Sequence, residues 1–183
     1  HQLENPILLG HSMGAKTVLF FEWKYPGLAA KIIIADMAAR EYKPHHAIVL
    51  KALNAVDFNT IKTRKEAEAV LNNYLEDFGT KQFLLKNIYW KDSGNNQMDW
   101  RFNLKTINQL YDTIRAAVPE FTSKTKTLIV KGENSDYINQ QDIEDYKQRF
   151  PESKCVTIAN AGHWLHAEKP KEFFDCVNEF IKD

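Results

Sequence analysis

The sequence predicts an α/β fold: a mainly parallel sheet interrupted by a largely helical insertion. Three observations carry that reading. Two β-rich runs, residues 6–9 and 31–35, flank an apolar stretch at 15–24, giving strand, helix and strand within about 30 residues. The same alternation returns after residue 120. Between them, from roughly 40 to 120, the apolar spacing becomes helical. The 183 residues are 44% hydrophobic and 26% charged, enough to bury a core, which excludes a disordered or fibrous chain. Lys+Arg and Asp+Glu are 24 each. Zero net charge leaves no electrostatic footprint for nucleic acid.

Each element has a local reason. Pro-Ile-Leu-Leu at 6–9 reads as a short buried strand ending at Gly10. Val18, Leu19, Phe20, Phe21 and Trp23 make residues 15–24 apolar nearly all round, the mark of a buried helix that Pro26-Gly27 stops. The run at 31–35 is a second strand, ending at Asp36. In the middle, Ile48, Val49, Ala52, Leu53 and Val56 follow helical spacing, as do Ala67, Val70, Leu71, Tyr74, Leu75 and Phe78. Tyr89–Lys91 and Met98–Phe102 flank a turn-forming stretch at 92–96 and read as a hairpin. One more helix fits Ile107–Ala117, before Pro119. Then Thr127–Lys131 is a strand. Ile143, Tyr146 and Phe150 mark a helix, and Cys155–Ala159 a strand. Pro170 suits the first turn of a last helix with Phe173, Phe174, Val177, Phe180 and Ile181 on its apolar face. The expected division is 1–39 and 121–183 as core, with 40–120 as a helical segment bearing a hairpin. Cys155 and Cys176 read as reduced buried thiols.

Gly10-His11-Ser12-Met13-Gly14 has the form G-x-S-x-G. Alone the pattern is weak. Here it lies between a strand and a helix, where a sharp turn between glycines lifts a serine oxygen clear of the backbone. The Met13 N–H, at the helix start, then faces the place where an oxyanion would form. A serine needs a base. Among six histidines, His163 follows a strand and Gly162, in a loop free to reach the strand ends. His11 is too close to Ser12 to turn back on it and reads as packing the turn, and His166 reads as structural. The chain order serine, acid, histidine fits two candidates for the group that orients the base. Asp36 and Asp136 both qualify, each lying after a strand, and spacing alone does not separate them. No metal site is expected, since no H-E-x-x-H, no C-x-x-C and no carboxylate cluster occurs. No cofactor is expected either, because G-x-G-x-x-G is absent.

Taken together, Leu8-Leu9-Gly-His-Ser-Met-Gly14, Ile34-Ala-Asp-Met37, Gln82-Phe-Leu-Leu-Lys86, Trp100-Arg-Phe-Asn103, Gly132 through Tyr137 and Ala161-Gly-His-Trp-Leu-His-Ala-Glu-Lys-Pro170 resemble the α/β-hydrolase superfamily, and within it the YbfF-type esterases. The resemblance implies the α/β-hydrolase fold and a serine esterase acting on small-molecule acyl esters or thioesters. It implies Asp36 as the triad acid, with Ser135 as a supporting hydrogen-bond partner of His163. The segment 40–120 becomes a cap, whose Phe83 and Trp100 would line an acyl pocket or else form the cap's own core. Trp164 would be a pocket wall. Ala15 departs from the group, which has glycine there. The resemblance also implies early strands and a second oxyanion donor ahead of residue 1, so that the missing segment or another chain would pair with the strand bearing Ser12. Rival expectations are a non-catalytic binding module or inactive fragment, and a lactonase, carbon–carbon hydrolase or perhydrolase. Without signal or membrane-spanning segment, the expected location is cytoplasmic.

Overall fold

The computed structural model describes residues 3–44, 46–92, 94 and 97–183. They form two compact units, one comprising the chain up to Glu41 with Ala116–Asp183, the other Tyr42–Arg115.

The first unit opens with strand β1 (Ile7–His11), helix α1 (Met13–Lys24) and strand β2 (Lys31–Ala35). The other unit contributes α2 (Ala47–Ala55), α3 (Arg64–Asn72), α4 (Phe78–Leu85), the hairpin β3 (Ile88–Asp92) and β4 (Gln97–Trp100), α5 (Leu104–Gln109) and α6 (Tyr111–Arg115). The first unit then resumes with β5 (Lys126–Gly132), α7 (Gln140–Arg149), β6 (Lys154–Ile158), α8 (Leu165–Glu168) and α9 (Pro170–Lys182).

Its sheet is parallel throughout, in the order β1-β2-β5-β6. The β-branched run Ile32-Ile33-Ile34 sits between β1 and β5 and is fully buried. Each such side chain contributes about 1.5–3 kcal/mol by leaving water. β1 is not the buried strand its apolar sequence suggests. Among the described residues it pairs with β2 alone, and Ile7 and Leu9 are 39% and 46% exposed. Nor is α1 buried all round. It buries Ala15, Val18 and Leu19 together with Lys16 and Glu22, while Trp23 is exposed. The buried Glu22 carboxylate is held through one oxygen, as Ser123 Oγ, Thr125 Oγ1 and the Gly27 N–H donate to Oε1 at 2.6, 2.7 and 3.2 Å while Oε2 is buried without a partner among the described residues. Lys16 Nζ donates to the Ala116 carbonyl.

α9 begins at Pro170 as expected, but its inward stripe is Phe173, Val177 and Phe180, packed on Leu128, Val130 and Ile158. Phe174 and Ile181 point to solvent. Neither cysteine is in the core: both thiols are free, Cys155 exposed and Cys176 half-buried.

The Tyr42–Arg115 unit has its own core of Leu53, Leu71, Leu85, Ile88, Met98 and Trp100. α3 stops at Asn72, so the long apolar stretch 67–78 is a helix, a turn and the start of α4. The stretch 107–117 is likewise divided, between α5 and α6 at Leu110. β3 and β4 pair antiparallel, while the centre of the expected turn, residues 93, 95 and 96, lies outside the described residues. Among the described residues, no helix is long and apolar enough to cross a membrane.

Candidate active site

The candidate residues converge at the C-terminal ends of the parallel strands. β1 runs directly into Ser12, whose N–H donates to the Ala35 carbonyl at 3.1 Å, continuing the β1–β2 register. One residue turns strand into helix because Ser12 takes φ 56°, a left-handed conformation that costs a non-glycine residue about 1–3 kcal/mol. Of the two flanking glycines, Gly10 is required by close approach, since a Cβ there would collide with the Gly14 carbonyl and the Ala15 nitrogen. Gly14 is not, because its missing Cβ would point into open space. Ala15 is fully buried. Met13 is the first residue of α1, so its N–H has no carbonyl one turn back to bond.

Asp36 leaves β2 with φ 48°, its N–H donating to the Val130 carbonyl at 2.8 Å. Its carboxylate is completely buried and fully partnered. Oδ1 accepts the Gly132 N–H at 3.1 Å. Oδ2 accepts the Ser135 hydroxyl and lies 2.8 Å from His163 Nδ1. His163 Nε2 is 3.0 Å from Ser12 Oγ. A carboxylate can only accept, so Nδ1 carries a proton and the Nε2 lone pair faces the serine hydroxyl.

This arrangement separates the carboxylates that spacing left open. Asp136 is exposed, whereas Asp36 sits at the imidazole. Ser135 is not a direct partner of His163, because both ring nitrogens are engaged; its hydroxyl bonds Asp36 instead. The loops after β5 and β6 meet across a tight gap, where a Cβ on Gly132 would strike the Gly162 carbonyl. The N–H groups of Gly162 and Trp164 donate to Glu168 at 2.7 and 3.2 Å, tying down the His163 loop.

Two contacts escaped the sequence reading. His11 does more than pack the turn: its Nε2–H donates to the His163 carbonyl at 2.8 Å, joining the serine turn to the histidine loop. Tyr137 stacks on the His163 ring, with centroids 3.7 Å apart and planes at 14°. Both lie near motif residues, but sequence carries no sign of ring contacts between separate strand ends. Around them His11, Trp164 and His166 form an aromatic cluster, and burial holds His11 and His166 below the ordinary imidazole range.

Phe83 and Trp100 belong to the other unit. Phe83 is exposed on α4. Trp100 is buried in that unit's core, stacked on Phe102 and edge-on to Phe58, and forms part of the wall of a cavity of about 570 Å³. Among the described residues no three His, Cys, Asp or Glu side chains gather as a metal-ligand set.

Residues 1–176 match the profile of the alpha/beta hydrolase family. The chain belongs to this family. Esterase YbfF of Escherichia coli (strain K12) is 30% identical over 185 residues, covering 100% of this chain and 69% of that protein. The sn-1-specific diacylglycerol lipase ABHD11 of Mus musculus is 30% identical over 182 residues, 96% of this chain and 58% of that protein. A solved structure, "Marine microorganism esterase", superposes with a TM-score of 0.91 at 38% identity, over 97% of this hydrolase-family chain and 70% of that chain. E-2-(acetamidomethylene)succinate hydrolase, at 19% identity and a TM-score of 0.63, shares the fold. The chain thus spans 58–69% of the length of these two curated relatives.

Proposed function

We propose that this protein is a serine esterase that cleaves acyl esters or thioesters through an acyl-enzyme on Ser12. The observation that carries the reading is the unbroken line of hydrogen bonds from Ser12 Oγ through both nitrogens of His163 to the buried Asp36. Relatives named as an esterase and a diacylglycerol lipase support an ester as substrate.

In this reading Ser12 Oγ attacks the acyl carbonyl while its proton passes to His163 Nε2. Asp36 keeps the proton on Nδ1 and offsets the imidazolium charge. Ser135 and the Gly132 N–H hold that carboxylate in line. The Met13 N–H, at the positive end of α1, receives the oxyanion; one such donor is worth about 10²–10³ in rate. His163 then protonates the departing alcohol or thiol. Water, deprotonated by the same nitrogen, releases the acid and frees Ser12. Trp164, beside the base, forms a pocket wall.

The test is hydrolysis of p-nitrophenyl esters and acyl thioesters of graded chain length. Wild type turns them over with a preferred length, and Ser12→Ala loses at least about 10⁴ of that rate. Equal turnover by Ser12→Ala refutes the proposal.

A further inference from the structure

We propose that Tyr137 is a positioning residue for the base, whose aromatic face steadies His163 and favours the cation that His163 becomes when it takes the Ser12 proton. The inference rests on the esterase reading above. Tyr137 lies against the face of the His163 ring and outside the Ser12–His163–Asp36 line.

Tyr137 is placed by its backbone. Its N–H donates to Ser135 Oγ at 3.3 Å, and its carbonyl accepts from Arg40 Nη2 at 3.5 Å. Arg40 is itself held by Asp142, with Nε at 3.0 and 3.2 Å from the two carboxylate oxygens. The next residue, Ile138, is buried. The ring is thereby laid flat on the imidazole, 3.7 Å between centroids and 14° between planes. Two neutral aromatic rings favour offset or edge-on contacts at longer centroid distances. A close face-to-face stack suits a pair in which one ring is cationic, because the negative π face attracts the charge.

The other groups around His163 leave that role open. Asp36 acts in the plane of the ring at Nδ1, and Ser12 occupies Nε2. His11 lies 4.8 Å away by centroids and Trp164 6.1 Å. His166 packs behind His11, and Glu168 acts on His166. Burial disfavours the charged form of both His11 and His166. When the proton moves from Ser12 Oγ to Nε2, the other ring proton stays on Nδ1, which donates it to Asp36. The new positive charge spreads over a ring with a carboxylate at one edge and a phenol face against its plane.

The experiment replaces Tyr137 with Leu, with Phe, and with phenylalanines carrying one, three or five fluorines, which drain the π face at nearly constant shape. Two quantities are read: the rate at which a fluorophosphonate labels Ser12, and the midpoint of the His163 ring-proton NMR titration. Losing a group that favours the cation makes His163 release its proton at lower pH. Tyr137→Leu is expected to slow labelling about 3- to 30-fold and to lower the midpoint by about 0.5–1.5 pH units, the size of a cation–π contact. Tyr137→Phe keeps the labelling rate within about twofold and the midpoint within about 0.3 pH units, and the midpoint falls stepwise with fluorine number. A midpoint that ignores fluorination overturns the proposal. Should the Leu variant fail to fold, the near-isosteric fluorinated series decides by itself. The NMR titration needs no turnover. A fluorine-dependent midpoint without any labelling therefore upholds the Tyr137 contact and counts against the esterase reading.

Discussion

The two units differ in how far along the chain their polar contacts reach. In the Tyr42–Arg115 unit, polar side chains close nearby helix ends: Thr63 accepts from the Glu66 N–H, Asp77 from Thr80 and Asn103 from Thr106, each three residues away. In the sheet-bearing unit, hydrogen bonds join residues 99, 127 and 151 positions apart, all around one buried carboxylate. A cap is repaid locally by a satisfied helix end. A buried Asp–His–Ser line has no such local return, and it rests on two non-glycine residues, Ser12 and Asp36, in left-handed conformations. Long sequence separation alone does not single out this cluster, since Glu22 also bonds Ser123 across 101 positions; a fully partnered buried carboxylate at two strained strand ends does.

Three changes break or sharpen that contrast, in decreasing order of effect. Asp36→Asn leaves His163 without the acceptor that fixes its tautomer, and kcat falls on the order of 10⁴-fold. Asp136→Asn, in an exposed loop, changes kcat by less than about twofold. A steady-state comparison of the two variants checks this, and the reverse ranking refutes the role given to Asp36.

Leu71 is fully buried in the other unit's core. Leu71→Ala is expected to cost about 2–5 kcal/mol in chemical denaturation. The folded variant keeps its labelling rate at Ser12. A loss of reactivity matching the loss of stability would erase the division of labour between the units.

The smallest effect comes from Lys16. Burial lowers its pKa to about 8, with Glu41 opposing and Arg40 reinforcing the shift. Between pH 8 and about 10.5 the unfolded chain keeps a proton that the folded chain has released, so folding stability contributed by this group rises with pH across that window. Relative to Lys16→Met, wild type is expected to gain on the order of 2–3 kcal/mol from pH 8 to 10.5. Denaturant titrations at both pH values measure it, and a pH-independent difference contradicts it.

Much of this was legible in the chain. Pattern alone located β2, β5 and β6, because Ile32-Ile33-Ile34, Leu128-Ile129-Val130 and Val156-Thr157-Ile158 are short runs rich in β-branched residues bounded by turn residues. Pro170 opened α9 as expected. Ser12 and His163 could be singled out because each follows a strand, at a sharp turn or in a loop, and the structure brings them within 3.0 Å of each other. What failed were properties set by neighbours rather than by the segment itself. The exposure of Leu9 depends on what pairs with β1. The outward turn of Phe174 depends on where α9 meets the sheet. Asp36 and Asp136 looked alike in sequence because both follow strands. The sheet order, which puts β2 between β1 and β5, tells them apart. The stack of Tyr137 on His163 is equally a product of two strand ends meeting in space.

The central claim is that Ser12 is an activated nucleophile. It is tested most directly by treating the protein with a fluorophosphonate near neutral pH and mapping the adduct by peptide mass spectrometry. One adduct is expected, on Ser12, and it disappears in His163→Ala. An unmodified Ser12, or a modified Ser12 whose rate ignores His163, contradicts it.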